Sequence, residues 1–136
     1  MLTLASVMSA GAISRGCLGV VISGRARDIS EHIYSDFPVF ARSRSTLGQS
    51  PFIRPSQINI PLIIHAQPSD SDFPSLSVAP GDFIVADRDG VVCVPQDLVE
   101  ETIAFATKGQ EIDAKCMESI RAGKGVKESF KLWRGK

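Results

Sequence analysis

The apolar run at residues 17–22 constrains the fold of this chain more than any other sequence feature. It reads CLGVVI, with no polar side chain and several β-branched ones. Such a run is typical of a β-strand that is covered on both faces. Residues 2–13 before it are apolar or small and predict a buried helix, which Gly16 can end. Helix, glycine and buried strand together predict an αβ unit.

Shorter elements are predicted to follow this unit as far as residue 77. Their patterns predict a short helix at 29–34, a strand at 38–41, a polar loop at 42–57, an alternating strand at 58–64 and a surface insertion at 67–77.

The C-terminal half predicts a hairpin and a long helix. The DRDG turn at 87–90 separates apolar runs at 83–86 and 91–94, and an Asp-Gly pair in that setting is a strong hairpin signal. Pro95 suits the first turn of a helix. That helix has a possible break at Gly109, ends at Gly123 and Gly125, and is followed by a short helix at 126–133.

Composition excludes several classes of protein. The 136 residues are 43% hydrophobic and predict one domain over 1–136. Fifteen basic residues balance fifteen acidic ones, so no nucleic-acid partner is expected. Arg15, Arg25 and Arg27 interrupt the apolar N-terminal third, so no stretch reaches the roughly 20 residues of a membrane span. Three widely spaced cysteines favour buried free thiols in a reducing compartment, and a cytoplasmic protein is expected.

The segment GRARD at residues 24–28 is the strongest candidate for chemistry. It places a guanidinium, Arg27, beside a carboxylate, Asp28, after a buried strand, where α/β folds bind ligands. Arg27 suits a substrate carboxylate, and Asp28 offers oxygen to Mg²⁺ or Mn²⁺. The residue types alone leave open a surface ion pair, or a helix cap formed by Asp28 or Ser30.

Other polar residues have structural interpretations. Asp82 and Asp87 suit turns. His32 and His65 have no partner at metal-ligand spacing and are left out of the site. Four lysines on polar or terminal segments are predicted to be solvated surface: Lys108, Lys115, Lys124 and Lys127.

Three segments carry a resemblance to a known family. They read GCLGVVISGRARD at 16–28, FPVFAR at 37–42 and VAPGDFIVADRDGVVCVP at 78–95. They resemble the G-x-x-G-V-V-x-D-G-x-x-R-D, P-V-F-A and V-x-P-G-D-x-x-x-A-D-x-x-G-V-x-x-V-P segments of the RraA-like family. The resemblance covers most of the chain, from about residue 4 to residue 125.

The resemblance implies a fold and an activity. The fold is α/β, a layered swivelling β/β/α domain with a mixed sheet, incomplete at the N-terminus because family members have a further αβ portion upstream. The activity is that of a metal-dependent lyase, which cleaves 4-hydroxy-4-methyl-2-oxoglutarate or decarboxylates oxaloacetate to pyruvate. The alternative is a non-catalytic interaction protein of the ribonuclease-regulator type, or an inactive fragment.

The resemblance also assigns roles and partners. Arg27 would hold the carboxylate or enolate oxygen of a small 2-oxo acid, and Asp28 would hold Mg²⁺ or Mn²⁺. Relatives assemble as trimers or hexamers, so a homo-oligomer is implied, with an acidic residue of a neighbouring chain completing the site. The chain departs from the aldolase pattern at Ser6, where those members carry an acidic residue that is followed by twenty residues and then the Arg-Asp pair.

Overall fold

The computed structural model describes residues 3–50, 54–66 and 74–135, and this part of the chain contains seven strands and four α-helices. The chain divides into two compact units, residues 1–80 with 86–92 and residues 81–85 with 93–136. The elements are β1 (Thr3–Leu4), α1 (Ser6–Ile13), β2 (Val20–Ala26), α2 (Ile29–Tyr34), β3 (Val39–Arg44), β4 (Leu62–Ile64), β5 (Leu76–Val78), β6 (Phe83–Ala86), β7 (Val91–Val94), a 3-10 turn (Gln96–Leu98), α3 (Val99–Arg121) and α4 (Val126–Trp133).

A three-stranded parallel sheet organises the first unit. Its order is β1-β2-β3, with β2 in the centre. Leu4 pairs with Ala26 on one side of β2, and Ala26 pairs with Arg44 on the other. Helices α1 and α2 connect the strands, as parallel pairing requires crossover connections. The carboxyl ends of all three strands therefore meet at one edge.

The core of this unit lies on one face of β2. Ile22, Gly24 and Ala26 alternate inward and are buried, together with Ala5 and Phe37 from the flanking segments. The alternation is the two-residue period of a strand with one covered face. The apolar run predicts cover on both faces, but within the described chain Val21 is 41% exposed.

Boundaries at the N-terminal end differ from the predictions. The helix predicted at 2–13 begins at Ser6, because residues 3 and 4 form β1 and pair with β2. Gly16, at φ 80°, follows the helix as predicted and adopts the left-handed conformation that ends such turns. Strand β2 starts at Val20 rather than at residue 17 and continues through Ala26.

Two strands in the middle of the chain differ in length from the predictions: β3 is longer and β4 is shorter. Strand β3 extends to Arg44, so the predicted loop starts later. Only residues 62–64 of the predicted strand 58–64 are regular, and β4 pairs antiparallel with β5, which occupies the end of the predicted insertion. Residues 67–73 of that insertion lie outside the described ranges.

The predicted hairpin is confirmed with the predicted strand limits. Strands β6 and β7 pair as a two-stranded sheet. Asp87 Oδ1 accepts hydrogen bonds from the amides of Asp89, at 2.8 Å, and Gly90, at 3.2 Å. This is the side-chain-to-backbone turn that its sequence position predicts.

Helices α3 and α4 pack against each other in the second unit. Helix α3 runs through Gly109 without the predicted break, and α4 has the predicted limits. The Ser129 hydroxyl donates to Ser119 Oγ at 3.0 Å, and both Ser129 and Cys116 are buried. Arg134 donates to Asp113 at 2.6 Å, which raises the pKa of that guanidinium.

The cysteine and membrane predictions have separate outcomes. All three cysteines are free, but only Cys116 is buried; Cys93 is half-buried and Cys17 is exposed in the turn before β2. None of the described helices combines the length and apolar character needed to cross a membrane. The single domain over 1–136 and the cytoplasmic location stay predictions.

Replacement of Ile22 by alanine tests the covered face of β2. Ile22 is 3% exposed, so Ile22→Ala is expected to lower the free energy of unfolding by about 2–4 kcal/mol through lost burial and a residual cavity. Urea unfolding measures the change. Val21→Ala, on the exposed side of the same strand, is the control and should cost under about 1 kcal/mol. Equal losses would contradict the assignment of the core to one face.

Candidate functional site

The candidate site begins where β2 ends. The Arg27 amide donates to the Leu4 carbonyl at 2.9 Å, which extends the pairing between β1 and β2 by one residue. Asp28 then adopts a left-handed conformation, with φ 59° and ψ 45°. Aspartate tolerates this region better than most residues do. The backbone thus turns sharply at the carboxyl edge of the sheet, with the arginine before the turn and the carboxylate in it.

The Asp28 carboxylate is anchored on the first residue of α1. Asp28 Oδ2 accepts hydrogen bonds from the Ser6 amide at 3.0 Å and from the Ser6 hydroxyl at 3.1 Å. Ala5, the N-cap residue of α1, supplies no side-chain cap. The Asp28 carboxylate, 22 positions later in the sequence, accepts the hydrogen bond of a helix N-terminal amide instead. An anion is also favourable there because the helix dipole is positive at that end.

Asp28 therefore caps a helix, but not the helix that its sequence position predicts. It is the N-cap residue of α2, yet its side chain makes no bond to α2. The carboxylate turns back to α1 instead. Ser30, the other predicted cap, lies inside α2.

Arg27 and Asp28 form an ion pair at the strand end. Arg27 Nε lies 3.7 Å from Asp28 Oδ2, too far for a hydrogen bond, and the two side chains are 34% and 29% exposed. The two predicted site residues are thus close together and reachable from solvent. Ser6 also contacts Asp28. Position 6 and the Arg-Asp pair, the three positions of the aldolase pattern discussed above, therefore lie close together.

The Ser6 contacts set the electrostatics of Asp28. Hydrogen bonding from the Ser6 amide holds the pKa of Asp28 below its ordinary value. The Ser6 hydroxyl and the charges of Arg27 and His32 act in the same direction, against partial desolvation. The carboxylate is consequently ionised at neutral pH, as a cation ligand must be.

His32, which was left out of the predicted site because it has no partner at metal-ligand spacing, lies beside Asp28. Its amide donates to the Asp28 carbonyl at 3.2 Å, and its side chain is 4% exposed. Neither ring nitrogen has a hydrogen-bond partner within the described chain. The spacing of His32 from Asp28 indicates this proximity, because the residue four positions after a helix N-cap returns to the same side of the helix. His65 is elsewhere, with Nδ1 3.1 Å from Ser75 Oγ.

The chemistry of Asp28 fits a divalent metal through one oxygen. Oδ2 carries both Ser6 hydrogen bonds, whereas Oδ1 accepts none from the described residues. Mg²⁺ is commonly held by one or two carboxylates, with water and substrate supplying the other oxygens. No group of three or more His, Cys, Asp or Glu side chains in the described ranges could hold a metal ion. Asp28 could thus provide a single protein ligand.

The remaining candidates have structural contacts. Cys93 Sγ donates to Asp82 Oδ2 at 3.6 Å, and burial together with the nearby Asp82 charge raises the pKa of the Cys93 thiol. The four lysines predicted to be surface residues are exposed. An open cleft of about 290 Å³ lies between α1 and α2, and Ser6 forms part of its lining.

Comparison with known proteins identifies the family. The family model RraA-like, described as Aldolase/RraA, matches residues 2–93. The chain therefore belongs to the RraA-like family, and the resemblance seen in its sequence is confirmed.

Individual relatives support the same assignment. A protein of Halalkalibacterium halodurans named "Putative 4-hydroxy-4-methyl-2-oxoglutarate aldolase" is 33% identical over 98 residues, which are 72% of this chain and 42% of that protein. An uncharacterized protein of Methanocaldococcus jannaschii is 30% identical over 118 residues, covering 87% of this chain and 52% of the relative. The chain thus spans about half the length of the curated relatives that it matches.

A solved structure confirms the fold. The crystal structure of an uncharacterized protein from Pseudomonas syringae pv. tomato matches with a TM-score of 0.82 and 27% identity, over 98% of this chain and 58% of that one. The α/β fold of the RraA-like type, predicted from the sequence, is confirmed.

The lowered pKa of Asp28 predicts a pH-dependent stability. Because the folded-state pKa lies below the unfolded one, this carboxylate stabilises the fold above pH about 4, and that contribution is lost as pH falls through the folded-state pKa. Asp28→Asn should flatten the decline in thermal midpoint between neutral and acid pH. Asp36→Asn is the control, since Asp36 is also left-handed, at φ 49°, but exposed. If the thermal midpoint of Asp28→Asn declines toward acid pH as steeply as that of the unmodified chain, the anchoring of the Asp28 carboxylate by Ser6 is contradicted.

Proposed function

We propose that the chain carries the substrate-binding edge of a divalent-metal-dependent lyase that acts on small 2-oxo dicarboxylic acids. The substrates are 4-hydroxy-4-methyl-2-oxoglutarate, by aldol cleavage, and oxaloacetate, by decarboxylation, and both give pyruvate. The observation that carries the proposal is the juxtaposition of Arg27 and Asp28, 3.7 Å apart at the carboxyl edge of a parallel sheet. Family membership and the name of the Halalkalibacterium relative support the reaction class.

Arg27 would bind the 2-oxo acid at the end where charge develops. In aldol cleavage the C3–C4 bond breaks, the proton of the C4 hydroxyl departs, and the bonding electrons form the enolate of pyruvate, which then takes up a proton. Negative charge therefore gathers on the former keto oxygen. A planar guanidinium donates two hydrogen bonds to a carboxylate or to adjacent oxygens. In the transition state Arg27 would stabilise that charge more strongly than in the bound substrate.

Asp28 would hold the metal through Oδ1, the oxygen that Ser6 leaves available. A bound Mg²⁺ or Mn²⁺ supplies Lewis-acid polarisation of the keto group. The Ser6 hydrogen bonds fix the carboxylate in one orientation and keep it ionised, so Ser6 would act as a positioning residue.

Loss of the guanidinium is expected to remove most of the activity. Arg27→Ala should lower kcat for pyruvate formation from oxaloacetate by about 10²–10³-fold, the usual effect of removing one donor to a developing oxyanion. A coupled assay of pyruvate release, with Mg²⁺ and with chelator, measures it. Arg15→Ala is the control because Arg15 donates to the Gly11 carbonyl near the other end of α1. Chelator-insensitive activity, or full activity in Arg27→Ala, would contradict the proposal.

Restoration of the acidic residue at position 6 should strengthen metal binding. Ser6→Asp places a second carboxylate beside Asp28, so the affinity for Mn²⁺ should rise by about 10-fold or more. Electron paramagnetic resonance of free Mn²⁺ measures the affinity without any turnover. Ser6→Asn, of similar size but neutral, is the matched control. A gain in both variants, or in neither, would argue against a metal at Asp28.

The complete site would include groups other than Ser6, Arg27 and Asp28. Leu18 and Tyr34 are 91% and 95% exposed, which supports cover by the remainder of the family domain or by another copy. We place the protein in a homo-oligomer, a trimer or hexamer, in which an acidic residue of a neighbouring chain completes the metal shell. The cytoplasm is the proposed location.

A second candidate function is supported by Ser6. Its hydroxyl and amide together satisfy one oxygen of Asp28, and the acidic partner found in aldolases is absent from this position. A non-catalytic interaction protein, of the ribonuclease-regulator type, needs no metal and would retain its partner in Arg27→Ala. Retention of a partner by that variant, without lyase activity in the unmodified chain, would favour this candidate.

A further inference from the structure

A second arginine lies at the same edge of the sheet and has no role in the proposed chemistry so far. Arg25 is in the central strand β2, in register with Thr3 of β1 and Ser43 of β3. Parallel sheets are normally covered on both faces, so their central strands are mostly apolar. Within the described chain, however, the side of β2 opposite Ile22 and Ala26 is only partly covered, with Val21 41% exposed, so the Arg25 side chain lies where a ligand can reach it.

Arg25 and Arg27 share an unusual hydrogen-bonding state. The Nε atom of each is shielded from solvent and has no hydrogen-bond partner in the described chain. Arg25 also forms no ion pair with any described residue, in contrast to Arg27 with Asp28. Shielded donors without partners are destabilising unless a ligand or another group pairs with them. Both side chains remain partly exposed, so an anion can reach them.

Strand alternation places the two arginines on the same side of the extended backbone, with Arg25 in β2 and Arg27 directly after its last residue. Alternate residues of a strand share a face, and Ala26 between them is buried on the opposite face. Their Cα atoms are separated by two residue rises, about 6.6 Å. Two guanidiniums carried by side chains with this Cα separation can hold the two ends of a four- or five-carbon dicarboxylate, one carboxylate each.

We propose that Arg25 binds the far carboxylate of the substrate and so selects dicarboxylic over monocarboxylic 2-oxo acids. This inference rests on the proposed function, because it takes Arg27 as the ligand of the 2-oxo end. Arg25 is then a specificity residue. In aldol cleavage the far carboxylate keeps its charge from substrate to product, so Arg25 contributes equally to ground and transition states. Its loss should therefore raise KM for aldol cleavage and leave the kcat of that reaction nearly unchanged; oxaloacetate does not serve for this comparison, because its far carboxylate is the group released as CO2.

A matched pair of non-cleaved ligands tests the proposal without turnover. 2-Oxoglutarate and 2-oxopentanoate have the same chain length and the same 2-oxo end, but only the first has a far carboxylate. Isothermal calorimetry on the whole chain is expected to show tighter binding of 2-oxoglutarate. Arg25→Gln should weaken 2-oxoglutarate by about 10-fold or more and leave 2-oxopentanoate within about twofold, because only one charge-assisted contact is lost.

The matched control removes the same charge elsewhere. Arg88 is exposed in the hairpin turn, and Arg88→Gln should leave the affinities for both ligands unchanged. If Arg25→Gln does not fold, as judged by circular dichroism, Arg25→Lys replaces it. That variant keeps the charge but loses the planar fork, so it should weaken only 2-oxoglutarate.

Three outcomes would overturn the role of Arg25: equal weakening of both ligands, weakening of neither, or no preference for 2-oxoglutarate in the unmodified chain. The lyase proposal fails separately. If the chain prefers 2-oxoglutarate through Arg25 but releases no pyruvate from either substrate, the selectivity assignment stands and the lyase assignment is overturned.

Discussion

The hydrogen bonds from Ser6 to Asp28 hold the first unit together at the carboxyl edge of its sheet. They join the first residue of a helix to the second residue after the central strand, across 22 positions of sequence. Helix α1 has only eight residues and no cap of its own, so this anchor supplies what its sequence lacks. One oxygen of this carboxylate, Oδ2, is therefore used by the fold, whereas Oδ1 accepts no hydrogen bond from the described residues.

The sheet places positive charge next to this anchor. Because β1, β2 and β3 run parallel, groups at their carboxyl ends share one edge, where Arg25 lies in β2 and Arg27 directly after it. Among the residues that the structure describes, a carboxylate lies near Arg27, at 3.7 Å, and none forms an ion pair with Arg25. The excess of guanidinium over carboxylate at this edge is the basis for proposing an anionic substrate, and the remaining oxygen of Asp28 is the basis for proposing a cation beside it. The two preferences are compatible in a metal complex of a 2-oxo acid.

Much of the fold could be predicted from local sequence, and the failures were non-local. The hairpin and α4 follow from turn residues and periodicity, and their limits were predicted correctly. Residues 3–4 look helical by composition but form a strand because β2 offers a pairing partner. Arg27 and Asp28 were found from residue type and family pattern, whereas the capping of α1 by Asp28 depends on a contact across 22 residues. The sequence alone does not single out Arg25, because the face on which its side chain lies can be assigned only when the strand is known to extend to residue 26.

Helix α4 shows how little of the second unit is held by local preference. Eight residues are too few to remain helical alone in water. Its helical conformation is stabilised by α3, through the hydrogen bonds from Ser129 to Ser119 and from Arg134 to Asp113. The backbone amides of α4 should consequently exchange with deuterium as one cooperative group, opening when the helix undocks, while the middle of α3 stays protected.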